Sequence, residues 1–362
     1  MEKRSLNKNI DLLLRGFTEL KDNGRFNEPN LDGSAGDYIS FSSWEWPQGV
    51  GLFGLVRLWE NTKSDDLYQI IDQWFQGNIE KGLPSLNVNT TAPMLPLSLF
   101  WSHHRQPHYQ QVLDNWANRV MTELPRTPEQ GFQHVVSDGI NEMEIWDDTL
   151  FMTCLFLGTA GVVLKRKDLI DEASYQFLQH TRYLCEPASG LWYHGWTFVG
   201  KHHFSEAFWG RGNAWITVAI PEFIALLGDS LDASVKRYLS VVVARQVNTL
   251  CELQADNGMW HTLLDDPLSP QESSATAGIA YGMLRGVRMG ILDEKVAENA
   301  MRAWHALRDR IDEGGIVLEA SKGTMVGPDL QYYCDIAMAP VPYAQALMML
   351  LLLELQQEKW SH

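Results

Sequence analysis

Apolar residues recur along the chain at helical spacing, in segments of two alternating kinds. Segments such as 50–59 and 91–101 are apolar on nearly every side, whereas segments such as 66–79 are apolar on one face only. A helix that is apolar all round is typically buried, and a one-faced helix lies at the surface. The pattern predicts about twelve helices, at 6–20, 50–59, 66–79, 91–101, 108–124, 148–164, 167–184, 206–227, 233–253, 274–287, 294–311 and 341–355.

The alternation predicts two concentric layers, with about six buried helices inside and about six amphipathic helices outside. Consecutive helices would be antiparallel and joined by short connections. We therefore predict an all-α fold, an (α/α)6 barrel in a single domain over residues 1–362, with short β segments in its loops. The extended segments expected in these loops are 131–136, 191–198, 259–264 and 315–318.

Composition narrows the range of partners. The formal net charge of −16 argues against binding to nucleic acid or to an anionic membrane. The N-terminus lacks the apolar core of a secretory signal, and the longest apolar run, 346–353, is too short to span a bilayer. We expect a cytoplasmic protein, as a monomer or homodimer, with no cofactor. Metal-type spacing is absent from the four cysteines, Cys154, Cys185, Cys251 and Cys334.

Polar and aromatic residues collect just before the buried helices. In a two-layered barrel all inner helices start at the same end, so these stretches would converge on one cavity although they are far apart in sequence. The free N–H groups at helix N-termini would also suit a carboxylate ligand. The six stretches are 44–49, 87–91, 146–148, 209–213, 272–274 and 332–333.

Several of these residues have a structural interpretation beside a functional one. Asn89, like other short polar residues at helix starts, could serve only as a cap. Trp46 is compatible with core packing or with a wall on which a sugar ring stacks. His134 and His194 lie in predicted loops, where each is a candidate ligand contact.

Arg211 is harder to assign to structure alone. It lies between two glycines, beside Trp209, at the start of an apolar helix. An unpaired arginine buried there would be costly. The two interpretations are recognition of an anion and pairing with an acid such as Asp148 or Glu206, and we favour anion recognition.

Two adjacent acids, Asp147 and Asp148, precede the helix predicted at 148–164. On a helix their side chains would point about 100° apart, so they cannot share one role. One should cap the helix or form an ion pair, and the other can face the cavity. An acid near Trp146 would be desolvated, which raises its pKa, while the helix N-terminus and a nearby Arg211 would lower it.

The sequence Trp-Asp-Asp-Thr-Leu-Phe-Met at 146–152 resembles the Trp-x-Asp motif of unsaturated rhamnogalacturonyl hydrolases, glycoside hydrolase family 105. The resemblance covers about residues 40–290 and is carried by several motifs in the family's order. These include the His-Gly-Trp loop and the Trp-Gly-Arg-Gly-Asn loop. The matching segments are 48–50, 146–152, 193–196, 209–215, 258–261, 272–274 and 280–281.

The resemblance implies hydration of a vinyl ether in a small oligosaccharide that ends in a 4,5-unsaturated uronic acid. Such oligosaccharides arise from pectin and rhamnogalacturonan breakdown. By motif, Asp148 is the acid and base that protonates C4 and assists the addition of water at C5. The implied substrate-binding residues are Trp46, Asn89, His134, Trp146, His194, Trp209, Arg211 and Asn213.

The chain departs from the pattern of related enzymes before the fourth helix, where some members carry a second aspartate. Asn87 and Asn89 occupy that stretch, and an asparagine cannot be a second base. Two other functions are compatible with the same barrel. A sugar epimerase would need paired histidines facing the cavity, and a non-catalytic sugar-binding protein would not depend on Asp148.

Overall fold

The computed structural model describes residues 3–22, 24 and 29–360, and it is predominantly helical. Within these residues the two strands are β1 (Glu144–Trp146) and β2 (Gly195–Thr197), and shorter helical turns are Val88–Thr91, Leu150–Cys154, Gly228–Ser230, Arg308–Arg310, Leu330–Cys334 and Glu358–Trp360. The twelve longer helices are α1 (Lys3–Thr18), α2 (Trp46–Thr62), α3 (Asp65–Lys81), α4 (Met94–His104), α5 (Pro107–Glu123), α6 (Leu155–Val163), α7 (Lys167–Leu184), α8 (Gly210–Leu227), α9 (Ala233–Glu252), α10 (Ser273–Arg288), α11 (Val296–Leu307) and α12 (Pro342–Leu355).

The even-numbered helices form a closed inner ring. Going round it, α2 contacts α4, α4 contacts α6, and the series continues through α8, α10 and α12 back to α2. These helices are apolar on all sides, and all fourteen residues of α12 are buried. Because such a helix has no face suited to water, it is stable only when surrounded by other elements. The predicted (α/α)6 barrel is confirmed.

The outer helices pack on this ring through one face. In α3 the buried residues are Leu67, Ile71, Trp74 and Phe75, spaced so that they share one side of the helix. The other outer helices pack in the same way against their inner neighbours, and α1 covers α12. That residues 1–362 make up a single domain stays a prediction.

Small residues allow neighbouring inner helices to approach closely. A Cβ atom at Gly282 of α10 would lie 2.2 Å from the carbonyl oxygen of Thr217 in α8. No side chain fits at that separation, so the contact between these two helices requires glycine.

A buried ion cluster lies at the end of the barrel where the inner helices finish. Glu222 of α8 is fully buried and its carboxylate lies 2.7 Å from an Nη of Arg57 and 3.0 Å from Nε of Arg285. The hydroxyl of Tyr281 donates to the same carboxylate at 2.5 Å. Two arginines therefore share one carboxylate far along the helices from their N-termini.

The chain around Trp146 differs from the predicted helix start. Trp146 belongs to β1 and pairs with Gly195 of β2. The helical path begins only at Leu150, with a π-type turn in which the amide of Leu155 donates to the carbonyl of Leu150. Apolar periodicity cannot detect this local widening, since a π turn leaves the composition of the segment unchanged. Of the four predicted extended segments, 191–198 contains β2, and the other three contain isolated bridges only.

Candidate active site

A cavity opens where the inner helices begin. It is about 870 Å³ when counted to its open mouth, a size typical of small-ligand pockets. Seven of the nine residues predicted to form the site line it: Trp46, Asn89, His134, Trp146, Asp148, Trp209 and Arg211. The convergence of sequence-distant stretches on one cavity therefore holds for the stretches before α2, α4, α6 and α8.

Asp148 is the acid placed deepest among the aromatic walls. Its side chain is 16% exposed and its Oδ1 is buried, 3.4 Å from Nδ1 of His134. No hydrogen bond to Oδ1 is made by any residue of the described ranges. Burial raises the pKa of Asp148 to about 7, against the lowering influence of Arg211. The carboxyl group can therefore exist as an acid near neutral pH, as a proton donor requires.

His134 supports the wall beside this acid. Its ring stacks on Trp146 at 4.1 Å between centroids, with the planes 16° apart. Nδ1 lies 2.8 Å from the hydroxyl oxygen of Thr149. Burial, reinforced by the charge of His180, lowers the pKa of His134 to about 3, so the ring is neutral at ordinary pH. His134 thus offers a hydrogen-bonding group to the cavity and no positive charge.

Asp147 does not cap the helix or form an ion pair, so that expectation is wrong. Its side chain is fully buried, and neither carboxylate oxygen has a hydrogen-bond partner among residues 3–22, 24 and 29–360. Burial and the charge of Asp148 raise the pKa of Asp147 well above its usual range. The side chain lies against Gly212, where a Cβ atom would be 2.2 Å from Oδ2.

Replacing Gly212 with alanine is expected to lower the free energy of unfolding by about 1–3 kcal/mol, because the new methyl group overlaps Asp147 and the Trp209 ring. Chemical denaturation measures this change. Gly77→Ala in α3 is the matched control, since nothing lies within 4 Å of a Cβ atom there and alanine favours the helix. Equal stability of the two variants would contradict the expected overlap.

Arg211 is buried and holds a neighbouring loop, 321–325. Its Nη1 donates to the carbonyl and hydroxyl oxygens of Ser321, and Nη2 donates to the carbonyl oxygen of Lys322 and the hydroxyl of Thr324, both at 2.8 Å. The guanidinium lies 3.8 Å from the carboxylate of Glu272. The acid it pairs with is therefore neither of the two predicted, Asp148 or Glu206.

Glu272 connects this loop to the barrel. It is the N-cap residue of α10, and its Oε2 accepts a hydrogen bond from the amide of Ala275 at 2.5 Å. Its Oε1 accepts one from the amide of Ser321 at 2.8 Å. Glu272 does not line the cavity, and neither does the predicted 332–333 stretch.

His194 and Asn213 lie outside the lining of this cavity, and their role in substrate binding stays a prediction. The His194 ring lies behind Trp209, at 4.3 Å between centroids, and Nδ1 is 2.9 Å from the Tyr333 hydroxyl. The Asn213 amide group donates to the carbonyls of Trp192 and Trp209 at 2.9 and 3.0 Å. Both side chains support the aromatic walls from behind.

Other cavity residues were missed from the sequence. Asp138, from the loop before β1, is exposed at the mouth and supplies a second acid that no motif indicated. Tyr38 and residues 322–325 of the neighbouring loop also line the cavity. These residues come from connections without helical periodicity, so nothing in the hydrophobic pattern points to them.

Two further observations concern the described residues alone. They contain no group of three or more histidine, cysteine, aspartate or glutamate side chains placed to hold a metal ion. None of their helices combines the length and apolar character needed to cross a membrane.

Comparison with solved structures identifies close counterparts of the whole fold. A crystal structure described as a possible member of the GH105 family, from Salmonella enterica serovar Paratyphi A, is 39% identical. The match covers 98% of this chain and 94% of that one, with a TM-score of 0.95. An unsaturated glucuronyl hydrolase from Bacillus sp. GL1 shares the fold at 17% identity, with a TM-score of 0.73 over 99% of this chain and 98% of its own.

Sequence comparison leads to the same group. The unsaturated rhamnogalacturonyl hydrolase YesR of Bacillus subtilis is 30% identical over 299 residues, which is 80% of this chain and 83% of that protein. The family model described as Glycosyl Hydrolase Family 88 matches residues 23–359. The resemblance found in the motifs is thus confirmed. The chain belongs to the glycoside hydrolases that the model of Glycosyl Hydrolase Family 88 describes.

Proposed function

We propose that this glycoside hydrolase hydrates the 4,5 double bond of an unsaturated uronic acid at the non-reducing end of oligosaccharides from rhamnogalacturonan breakdown. The observation that carries the proposal is Asp148, a desolvated acid in an aromatic cavity. The similarity to the B. subtilis rhamnogalacturonyl hydrolase supports this choice of substrate.

In the proposed reaction the protonated Asp148 carboxyl group transfers its proton to C4. Positive charge develops at C5 and on the ring oxygen. The Asp148 carboxylate then takes a proton from a water molecule as the water oxygen bonds to C5, which restores the acid. The resulting hemiketal opens by cleavage of the bond between C5 and the ring oxygen, which leaves a ketone at C5 and a hemiacetal at C1. The hemiacetal then collapses to an aldehyde, and the bond from C1 to the remaining sugar breaks so that this sugar leaves with its hydroxyl group.

One carboxyl group is enough for this cycle, because Asp148 gives a proton and later regains one. Trp146 and Trp209 would pack against the sugar ring, and His134 would donate or accept a hydrogen bond as a neutral group. Asn89 reaches the cavity and can bind a hydroxyl group. A sugar epimerase is less well supported, since His134 is the one histidine among the described residues that lines the cavity.

The proposed acid predicts a pH profile. Because the pKa of Asp148 is raised to about 7, its protonated fraction is high below that pH and falls above it. We expect kcat/KM to decrease about tenfold for each pH unit above about 7. Initial rates from about pH 5 to about pH 9 test this. A descending limb near the ordinary aspartate pKa would contradict the assignment.

The function is tested with a panel of unsaturated disaccharides prepared with pectin and glycosaminoglycan lyases. Hydration destroys the conjugated enol acid, so its ultraviolet absorbance disappears as product forms. We expect turnover to be fastest with an unsaturated galacturonyl-rhamnose. If none of the lyase products loses absorbance, the proposed function is wrong.

A further inference from the structure

The proposed substrate carries a carboxylate, so the cavity should present a positive charge to it. Among the described residues that line the cavity, the arginine and lysine side chains are Arg211 and Lys322. His134 lines it as well, but burial keeps its ring neutral. The positive charge that faces the carboxylate therefore comes from Arg211, from Lys322 or from both.

Arg211 is already engaged with the protein. Both Nη atoms donate to the 321–325 loop, at Ser321, Lys322 and Thr324. The remaining donor, Nε, is buried, and Glu272 lies 3.8 Å from the guanidinium. An arginine binds a carboxylate best through two parallel N–H groups, and in this arrangement no such pair is directed at the cavity.

The same contacts fix the position of Lys322. Its carbonyl accepts a hydrogen bond from Arg211 at 2.8 Å, and its amide donates to the carbonyl of Ala337 at 2.9 Å. The preceding residue, Ser321, is held by Glu272. The backbone of Lys322 is thus fastened on both sides, while its half-buried side chain lines the cavity that contains Asp148.

We propose that Lys322 binds the carboxylate of the uronic acid and that Arg211 is a positioning residue that holds the 321–325 loop. The proposal rests on the proposed function. Lysine suits the role because its ammonium group is a compact charge on a flexible stem, able to reach a carboxylate over the cavity wall. The contact exists before and after proton transfer, so it should affect KM more than kcat.

The test compares Lys322→Met with the wild-type enzyme on the unsaturated disaccharide that the wild type turns over fastest. We expect KM to rise about 10- to 100-fold, the range of one charge-assisted hydrogen bond, with kcat changed far less. Lys322→Arg should recover most of the loss because it keeps the charge. Lys295→Met, at a side chain 75% exposed, is the control and should behave as the wild type.

Comparison with a second ligand that lacks the charge measures the contribution of the carboxylate to binding. Calorimetric binding to the Asp148→Asn variant avoids turnover, and the disaccharide is compared with its uronate methyl ester. Adding Lys322→Met should weaken binding of the acid but not of the ester. Equal weakening of both ligands would overturn the proposal, because the lysine would then act on the shape of the cavity.

Arg211→Lys separates positioning from direct binding. We expect faster hydrogen exchange across 321–325 in this variant and unchanged exchange in Lys322→Met. If Arg211→Lys abolishes affinity for the acid without loosening the loop, while Lys322→Met binds normally, Arg211 holds the carboxylate and the proposal is wrong. If the wild type turns over the disaccharide and Lys322→Met has the same KM and kcat, this inference alone is overturned. If the wild type turns over none of the disaccharides, the proposed function is overturned.

Discussion

Replacing Asp148 by asparagine is expected to lower kcat/KM for an unsaturated disaccharide by about a thousandfold or more. The amide has nearly the shape of the acid but cannot deliver a proton to C4, and general acid catalysis typically contributes about 10²- to 10⁴-fold. The loss should exceed that of a single proton transfer, since the proposed cycle uses the same group as acid and then as base.

The adjacent Asp147→Asn variant is the matched control. Asp147 is buried behind the wall and lines no part of the cavity, and burial together with the charge of Asp148 raises its pKa well above the usual range, which favours its neutral form. We expect it to keep most of the activity. Loss of absorbance from the unsaturated uronate gives both rates. Similar losses in the two variants, or a tenth of wild-type activity in Asp148→Asn, would exclude Asp148 as the proton donor.

Thermal unfolding shows whether the Asp148→Asn variant is folded. The folded-state pKa of Asp148, about 7, lies above the ordinary value of 3.8, so burial favours its neutral form. The stability linked to that form is complete below about pH 4 and is lost as the pH rises through about 7. Because asparagine cannot ionise, the variant should unfold at a higher temperature than the wild type at about pH 8.

The second large effect concerns stability. Glu222→Gln is expected to lower the free energy of unfolding by about 3–5 kcal/mol, the usual cost of removing one partner from a buried ion pair. Glu222 balances Arg57 and Arg285 and accepts a hydrogen bond from Tyr281. Glutamine would keep the shape of the side chain but leave two partly buried arginines without their shared charge.

The pH dependence of this cluster has a definite sign. Burial opposes ionisation of Glu222, but the charges of Arg285 and Arg57 outweigh it and lower the pKa to about 2. The stabilisation is therefore complete above about pH 4.5 and is lost as the pH falls through about 2. Acid unfolding of the wild type should show this contribution, and Glu222→Gln should lack it.

Denaturation in urea, followed by circular dichroism, measures the effect. Glu123→Gln is the matched control, because Glu123 pairs with Arg119 near the surface, where the Glu123 side chain is 52% exposed and the Arg119 side chain 32%. Exposed pairs of this kind typically contribute less than about 1 kcal/mol. A Glu222→Gln variant as stable as Glu123→Gln would mean that the arginines find other partners. Because the cluster lies away from the helix N-termini, KM at a permissive temperature should be unchanged.

Much of the barrel could be predicted because burial and helical period are local properties of the sequence. Helix α7, Lys167–Leu184, begins and ends at the predicted residues, because the residues that form its apolar face and its polar flanks all lie within one continuous segment of the sequence. Helix α4 begins later than predicted, at Met94, since the chain first makes the short turn Val88–Thr91 capped by Asn87. Periodicity identified the helix but not the break before it.

The lining of the cavity was predictable where a motif lies close to a helix start, as at Trp209, directly before α8, and at Trp146 and Asp148, which precede the helical turn at Leu150. The position of a side chain was not predictable where its hydrogen-bond partner is distant in sequence. His194 occurs in a motif but is directed to Tyr333, 139 residues away. Local sequence contains no signal for that contact.

By itself, the sequence determined the two-layered barrel, the end at which polar residues collect, and the choice of Asp148 as the proton donor to test. Only the tertiary structure decided which residues each charged group contacts. It paired Arg211 with Glu272 and with a loop 110 residues further along the chain. It also brought Asp138 and Lys322 to the cavity. The physical reason is that periodic burial is encoded residue by residue, whereas the partner of a buried charge depends on how distant loops close over it.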